Sequence, residues 1–231
     1  MKISYLVTVC NEGHSVVHLF NKIHNTGIET DELVILHDPK GDDMTWLAIQ
    51  NSFDRLTPVI KWNCITHKLD NDYGTHKNFG VERCKGDWIF QIDGDEMPPD
   101  SLLGENLHAL IEANPTIEAY AIPRINAWHG LTEEHAKRWG WPLDMSPTYK
   151  RLRAAWPDYQ FRLFKRDYPR ISFKKKLHER IEGYSKFALL PMDEDFALYH
   201  DKTIEKQVET NLRYNRDFSA EENNGVSNPR Q

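Results

Sequence analysis

What the chain has little of narrows the reading first. Its 231 residues include three cysteines, Cys10, Cys64 and Cys84, odd in number and without C-x-x-C spacing. Neither a zinc ribbon nor a disulfide framework is expected from that set; three reduced thiols are. No window reaches the roughly 18 apolar residues needed to span a bilayer. The apolar run after Met1-Lys2 is short, gives way to Asn11-Glu12-Gly13 and offers no small-residue cleavage site, which speaks against a secretory leader. Basic residues are in the minority, 29 against 35 acidic, for a formal net charge of −6. Such a balance excludes a chain whose main task is to coat nucleic acid. Internal repeats and low-complexity tracts are missing too. The expectation is a globular, soluble, cytoplasmic protein, and a hydrophobic fraction of 39% suits one.

What is present is an alternation. The β-branched and aromatic run 3–9 reads as a buried strand, followed by helical spacing that sets Val16, Val17, Leu19, Phe20 and Ile23 on one face. A second strand is expected at 32–38, helical spacing at 43–53 and a third strand at 58–63. Residues 71–74 look turn-like, 75–86 helical, and 87–93 form a fourth strand. Strands alternating with helices imply an α/β fold with a mainly parallel sheet, in which ligands bind beyond the carboxyl ends of the strands. The polar clusters Thr8–Glu12, His37–Asp43 and Asp93–Glu96 each end a strand, so they should line one edge. Beyond Pro98-Pro99 a helix is expected at 101–113 and a strand at 118–125. Residues 126–158, rich in Trp, His, Arg and Pro, read as a long irregular excursion. Short strands follow at 159–166, 170–174, 177–182, 186–190 and 196–200, then a helix at 203–217.

The sharpest local feature is the stretch DWIFQIDGDEMPPD, residues 87–100. A strand built for burial delivers Asp93, Asp95 and Glu96 around Gly94, a residue that permits a sharp turn. Carboxylates so close repel one another and raise each other's pKa unless a cation neutralises them. A hard divalent ion such as Mg²⁺ or Mn²⁺ does so, typically with one or two carboxylates and with substrate phosphates completing the shell. Alone, D-x-D also fits an acidic surface turn with nothing bound.

The surrounding segments add to it. Thr8, Asn11 and Glu12 follow the first strand; Lys77, Asn78 and Gly80 lie in HKNFGVERCKGDW; Asp93 and Asp95 close the fourth strand. YQFRLFKR (159–166), KLHERI (177–182) and FALYHDKT (196–203) continue the pattern. Over roughly residues 1–217 the chain resembles the family 2 glycosyltransferases of GT-A fold, and within them the lipopolysaccharide-core-type glucosyltransferases. The resemblance implies a nucleotide-sugar-binding half over 1–97, an acceptor-binding half with a mixed, partly antiparallel sheet over 98–217, and a flexible tail over 218–231.

It also implies roles. Thr8, Asn11 and Glu12 would meet the base and ribose of the nucleotide, and Asp38 the uracil or ribose, although HDPKGDD stands where D-D-G-S is usual. Lys77 would face the diphosphate or sugar. Asp93 would touch ribose and metal, Asp95 the metal directly, and His200 looks like the late metal-ligand histidine; imidazole suits Mn²⁺ better than Mg²⁺. Inverting transfer needs a general base. Glu179 is the first choice, with His178 positioning it or contacting phosphate, and Asp158 and Asp195 are rivals. Arg162 is either a phosphate clamp or an inward partner of an acid. Trp128, His129, Trp139, Trp141 and Trp156 either pack a long loop or offer sugar-stacking faces.

The implied activity is metal-dependent, inverting transfer of one sugar from a UDP-sugar, with UDP-glucose the first candidate, to a hydroxyl of a glycan-like or lipopolysaccharide-like acceptor. Single addition is expected because the Q-x-x-R-W motif and membrane helices of processive synthases are missing. The last helix is a candidate homodimer surface. Two other readings stand beside this one. A sugar nucleotidyltransferase would carry a Gly-rich, basic loop after the first strand, where TVCNEGHS has one glycine and no Lys or Arg. A non-catalytic carbohydrate- or partner-binding module would use the acids for a structural ion only.

Overall fold

The computed structural model describes residues 1–13, 15–55, 60–200 and 202–223. The buried runs of the first half become parallel strands, β1 (Ile3–Val9), β2 (Glu32–His37), β3 (Lys61–Thr66) and β4 (Trp88–Asp93). They alternate with the helices α1 (Ser15–Thr26), α2 (Asp43–Arg55) and α3 (Tyr73–Val81). Then come β5 (Glu96–Met97), α4 (Gly104–Ala113), β6 (Ala119–Ile122), β7 (Arg124–Ile125) and α5 (Glu133–Trp139). The strands β8 (Leu143–Met145), β9 (Leu152–Ala154), β10 (Gln160–Lys165), β11 (Ser172–Lys174), β12 (Arg180–Glu182), β13 (Phe187–Leu189) and β14 (Leu198–His200) precede α6 (Ile204–Asp217) and α7 (Ala220–Asn223).

Seven strands share one sheet in the order β13-β6-β10-β4-β1-β2-β3. β1 pairs in parallel with both β2 and β4, and β10 runs antiparallel between β4 and β6. Its central strands are buried on both faces, which is why they read as continuous apolar runs rather than alternating ones, while the edge strands β3 and β13 are part-exposed. On one face α1, α2 and α4 bring Leu19, Phe20, Ile23, Ile49 and Leu107 against Tyr5, Leu33, Ile35 and Phe90. On the other, Val81 of α3 and Phe173 and Ile181 of the β11–β12 hairpin cover Leu6, Val34, Leu36 and Ile89. Each large aliphatic or aromatic side chain so buried contributes about 1.5–3 kcal/mol.

Several boundaries differ from the sequence-based expectation, each for a local reason. The third strand runs over Lys61–Thr66 rather than 58–63, and residues 56–59 lie outside the described residues, as does His14. Helix α3 starts at Tyr73, inside the expected turn, because Asp72 caps it: its Oδ1 accepts from the Thr75 N–H at 2.9 Å. The expected strand 118–125 is cut at Pro123, which cannot donate to the ladder; β6 stays in the main sheet and β7 leaves it. The excursion 126–158 is not irregular throughout. Thr132 caps α5, Gly140 ends it in a left-handed conformation (φ 69°), and β8 and β9 form an antiparallel pair. Of the expected tail, residues 220–223 form α7, and 224–231 lie outside the described residues.

A second, three-stranded sheet, β5-β14-β7, crosses the end of β4. Its register sets His200 opposite Glu96 and so beside the acids. The far end of β4 is fixed by Gly86, whose N–H donates to Ser4 Oγ at 2.7 Å. A Cβ at Gly86 would sit 2.6 Å from the Ser4 nitrogen. Gly86→Ala is therefore expected to cost about 2 kcal/mol through overpacking against backbone and to lower the melting temperature by about 4–8 °C, as read by circular dichroism. An unchanged melting temperature would mean that the β1–β4 contact gives way easily.

Candidate active site

Parallel pairing brings the polar ends of three strands together. Thr8 lies level with Asp93 across β1 and β4, and Val9 level with His37 across β1 and β2. Thr8–Glu12, His37–Asp43 and Asp93–Glu96 thus line one edge.

Gly94, expected to be needed for a turn, takes no left-handed conformation. It is needed for space: a Cβ there would lie 3.0 Å from Glu12 Cγ and 3.1 Å from the Thr8 carbonyl oxygen.

The acids meet two buried cations, Lys77 and Arg162, and a partly buried one, Arg124. Asp93 Oδ1 accepts from Thr8 Oγ1 and Gln91 Nε2 at 2.8 Å each, and Lys77 Nζ of α3 lies 2.9 Å away. Asp93 Oδ2 pairs with Arg162 Nη2 at 2.5 Å. Arg162 faces this edge because β10 lies beside β4, and it also reaches Gln91 Oε1 and, at 2.6 Å, Glu96 Oε1. Glu96, whose side chain is fully buried, also pairs with Arg124 Nη1 at 3.0 Å. Burial pushes the Asp93 carboxyl up, but Arg162 and then Lys77 outweigh it and hold that group well below the usual carboxylate range. Burial likewise opposes the Lys77 ammonium, which Asp93 and Glu179 nonetheless raise.

Asp95 is placed differently. Its Oδ2 lies 3.2 Å from His200 Nε2, and His200 Nδ1 is held by Asn126 Oδ1 at 2.9 Å. Burial acts to raise the Asp95 carboxyl, yet the neighbouring imidazole keeps it far below its ordinary value. Among the described residues, no group of three or more His, Cys, Asp or Glu side chains is arranged to hold a metal ion. Asp95 and His200 fit one as a pair. Ligand atoms at adjacent octahedral positions around a small divalent ion lie about 3 Å apart, and such ions take few protein donors when substrate phosphates complete the shell. Glu12 adjoins them; burial, with the Asp95 charge adding, pushes its carboxyl up to about 7 against the Cys10 N–H that it accepts at 2.6 Å.

The other expected residues are spread around this centre. Asn11 is exposed and its Oδ1 accepts from the Asp42 N–H at 2.8 Å; Asp38 is buried and accepts from the Lys40 N–H at 3.1 Å. Glu179 joins the cluster through Lys77 Nζ at 2.6 Å. His178, left-handed at φ 53°, turns away toward the Asn223 carbonyl (3.2 Å) and Tyr214. Asp158 Oδ2 is taken by Arg124 (2.6 and 3.0 Å) and Asn126 (2.9 Å), and Oδ1 by Gln160 (2.7 Å). Asp195 is exposed and lies in a short 3-10 turn. Trp128 sets its ring edge-on to His200, 6.2 Å between centroids, and packs on Trp141 at 5.0 Å. Arg124 and Gln91 were not singled out from the sequence as binding groups, and neither were Lys202, Lys206 and Arg213. For Arg124 the signal was at hand, an arginine directly after the Pro123 that ends its strand.

A mainly parallel sheet flanked by helices, with a D-x-D edge and a histidine delivered by a crossing small sheet, defines a GT-A type glycosyltransferase. The chain belongs to Glycosyl transferase family 2, whose model matches residues 4–174. No curated protein matches the sequence. Among solved structures, S. aureus TarS 1–349 in complex with UDP-GlcNAc is similar at TM-score 0.58 and 15% identity, over 87% of this chain and 59% of that one. The mannosyltransferase PcManGT from Pyrobaculum calidifontis, in complex with GDP-Man and Mn²⁺, is similar at 0.55 and 15%, over 85% and 56%. The chain therefore spans little more than half the length of these proteins, and at such identity the likeness is one of fold. No helix among the described residues is long and apolar enough to cross a membrane.

Proposed function

We propose that the protein transfers one sugar from a nucleoside-diphosphate sugar, UDP-glucose being the first donor to test, to a hydroxyl of a glycan-like acceptor, with inversion and with Mn²⁺ or Mg²⁺. The observation that carries the reading is the Asp95–His200 pair, 3.2 Å apart, at the carboxyl edge of a family 2 sheet. The bound UDP-GlcNAc, GDP-Man and Mn²⁺ of the structural neighbours point the same way.

Asp95 and His200 would hold the ion, and Asp93 would join them by exchanging Lys77 or Arg162 for it. The ion supplies charge stabilisation to the leaving diphosphate. Thr8, Asn11, Glu12 and Asp38 form the floor for base and ribose, with Gly94 leaving room for Glu12 to pack against the end of β4. Lys77 offers an ammonium to the diphosphate. Glu179, freed from Lys77 by the incoming phosphates, takes the acceptor proton; it is a better base than Asp158, whose oxygens are occupied by donors and whose carboxyl, despite burial, Arg124 keeps low. His178 braces the segment that carries Glu179.

The test is nucleoside-diphosphate release from a panel of UDP- and GDP-sugars. Slow hydrolysis of one donor with Mn²⁺ or Mg²⁺, suppressed at least about a hundredfold by EDTA, is expected if the ion stabilises the leaving group. Turnover unaffected by EDTA would overturn the metal assignment. Binding of the nucleotide without any turnover, even with glycan acceptors present, would favour a carbohydrate-binding module.

A further inference from the structure

Helix α6 is mounted with its polar side inward. Ile204 at its start is buried with Trp128 and Leu131, but beyond it the buried position is the polar Gln207, Lys206, Thr210 and Arg213 are half-buried, and the apolar Val208 and Leu212 are 36% and 64% exposed. About 100° of rotation per residue places Lys206, Thr210 and Arg213 together on one face, roughly opposite that stripe. An amphipathic helix that packs for stability does the reverse.

The helix bridges the carboxylate edge. At its start the Ile204 N–H donates to the His129 carbonyl, and the His129 N–H to the Lys202 carbonyl, both at 2.8 Å. Near its end Tyr214 packs edge-on to Tyr73 of α3 and to His178, with centroids at 6.3 and 6.0 Å. Between these supports the inward cations face the site. Lys202 lies near Asp95 and over the Trp128 ring at 5.9 Å. Lys206 is half-buried one turn before Thr210, whose hydroxyl donates to its carbonyl at 2.8 Å, and its charge bears on Glu12 and Asp42. Arg213 lies near Cys10 at the end of β1 and donates to the Tyr73 hydroxyl at 2.8 Å. Among the described residues, neither Lys202 nor Lys206 closes a direct ion pair with the acids it faces. A cationic helix face held over a cleft without direct pairing is complementary to a mobile anion with several oxygens.

We propose that α6 is a diphosphate strap: Lys206 and Arg213, with Lys202 beside them, grip the phosphates of a bound nucleotide and hold it against the sheet edge. The assignment rests on the reading of this edge as a nucleoside-diphosphate site and adds the residues that would bind the phosphates from above. It explains why the cations lie on the half-buried side of the helix, since bound phosphates would give them direct partners there.

The experiment is calorimetric titration of the full chain with UDP and with uridine, and likewise with GDP and guanosine. Wild type is compared with Lys206→Gln and Arg213→Gln. Each variant is expected to bind the diphosphate roughly tenfold or more weakly, the loss typical of a charge-assisted contact, and the nucleoside unchanged within about twofold. Lys206→Gln carries the main weight because it removes no direct ion pair; Arg213→Gln also removes the Tyr73 contact and is read beside its melting temperature. Unchanged diphosphate affinity in both variants overturns the strap. Equal loss for diphosphate and nucleoside overturns it too, since α6 would then act only on the shape of the site. A wild-type protein that binds none of the four ligands would sink the nucleotide reading itself, and the strap with it.

Discussion

Asp95→Ala is expected to lower metal-dependent donor turnover by about a thousandfold while the protein stays folded. The magnitude follows from losing roughly 4 kcal/mol of charge stabilisation at the leaving diphosphate. The folded state should tolerate the change because among the described residues Asp95 has one side-chain hydrogen-bonding partner, His200 at 3.2 Å, and its side chain keeps 23% of its exposure. His200 would stay in place on Asn126. Mn²⁺ binding, followed by the electron paramagnetic signal of the free ion in the presence of UDP, should weaken in parallel.

Asp93→Ala gives the contrast. It removes one carboxylate partner from each of Lys77 and Arg162, leaving them Glu179 and Glu96, so it should reduce melting temperature and activity together. If Asp95→Ala retained wild-type turnover and Mn²⁺ affinity, the D-x-D reading would be wrong, and the acids would be there only to balance the buried cations.

Which parts of this centre could be read from the chain depends on sequence distance. β1, β2 and β4 announce themselves as apolar runs, because a sheet covered on both faces needs apolar side chains on both. Their polar ends were legible for the same reason: polarity begins where cover stops. Local capping was also written in the chain but less loudly, as in Asp72 before α3 and the Thr132–Gly140 frame of α5. The cations were another matter. Arg162 meets Asp93 only because β10 inserts antiparallel between β4 and β6, a pairing between segments about 70 residues apart that no local spacing encodes. Arg124 reaches Glu96 only because Pro123 diverts its strand into the small sheet. His200 was found by resemblance, and its place beside Asp95 follows from the pairing of β14 with β5. The orientation of α6 was hidden for a different reason: periodicity reports which residues share a face but not which face turns inward.

The buried charges make the site a structural element as well as a chemical one, and Arg162→Met should expose that. Arg162 is almost fully buried and serves Asp93, Glu96 and Gln91 at once. Removing one partner of a buried ionic cluster costs about 3–5 kcal/mol, because the remaining charges stay desolvated. For a chain of this length that is a fall in melting temperature of roughly 6–20 °C. The pH dependence separates this cause from lost packing. The Asp93 carboxyl titrates well below its ordinary value near 3.8 in the folded protein. Its pairing therefore stabilises the wild type above that value and is lost as pH falls toward the folded pKa. Without Arg162 the carboxyl protonates more easily in the folded state. The stability gap between wild type and variant should thus be widest near neutral pH and shrink below about pH 4. Glu96→Gln in the Arg162→Met background should recover part of the loss, since it removes a charge that Arg162 no longer offsets. A gap independent of pH, with no recovery in the double variant, would show that Arg162 contributes volume and contact rather than charge. Lys77 would then be the cation that keeps Asp93 ionised inside the fold.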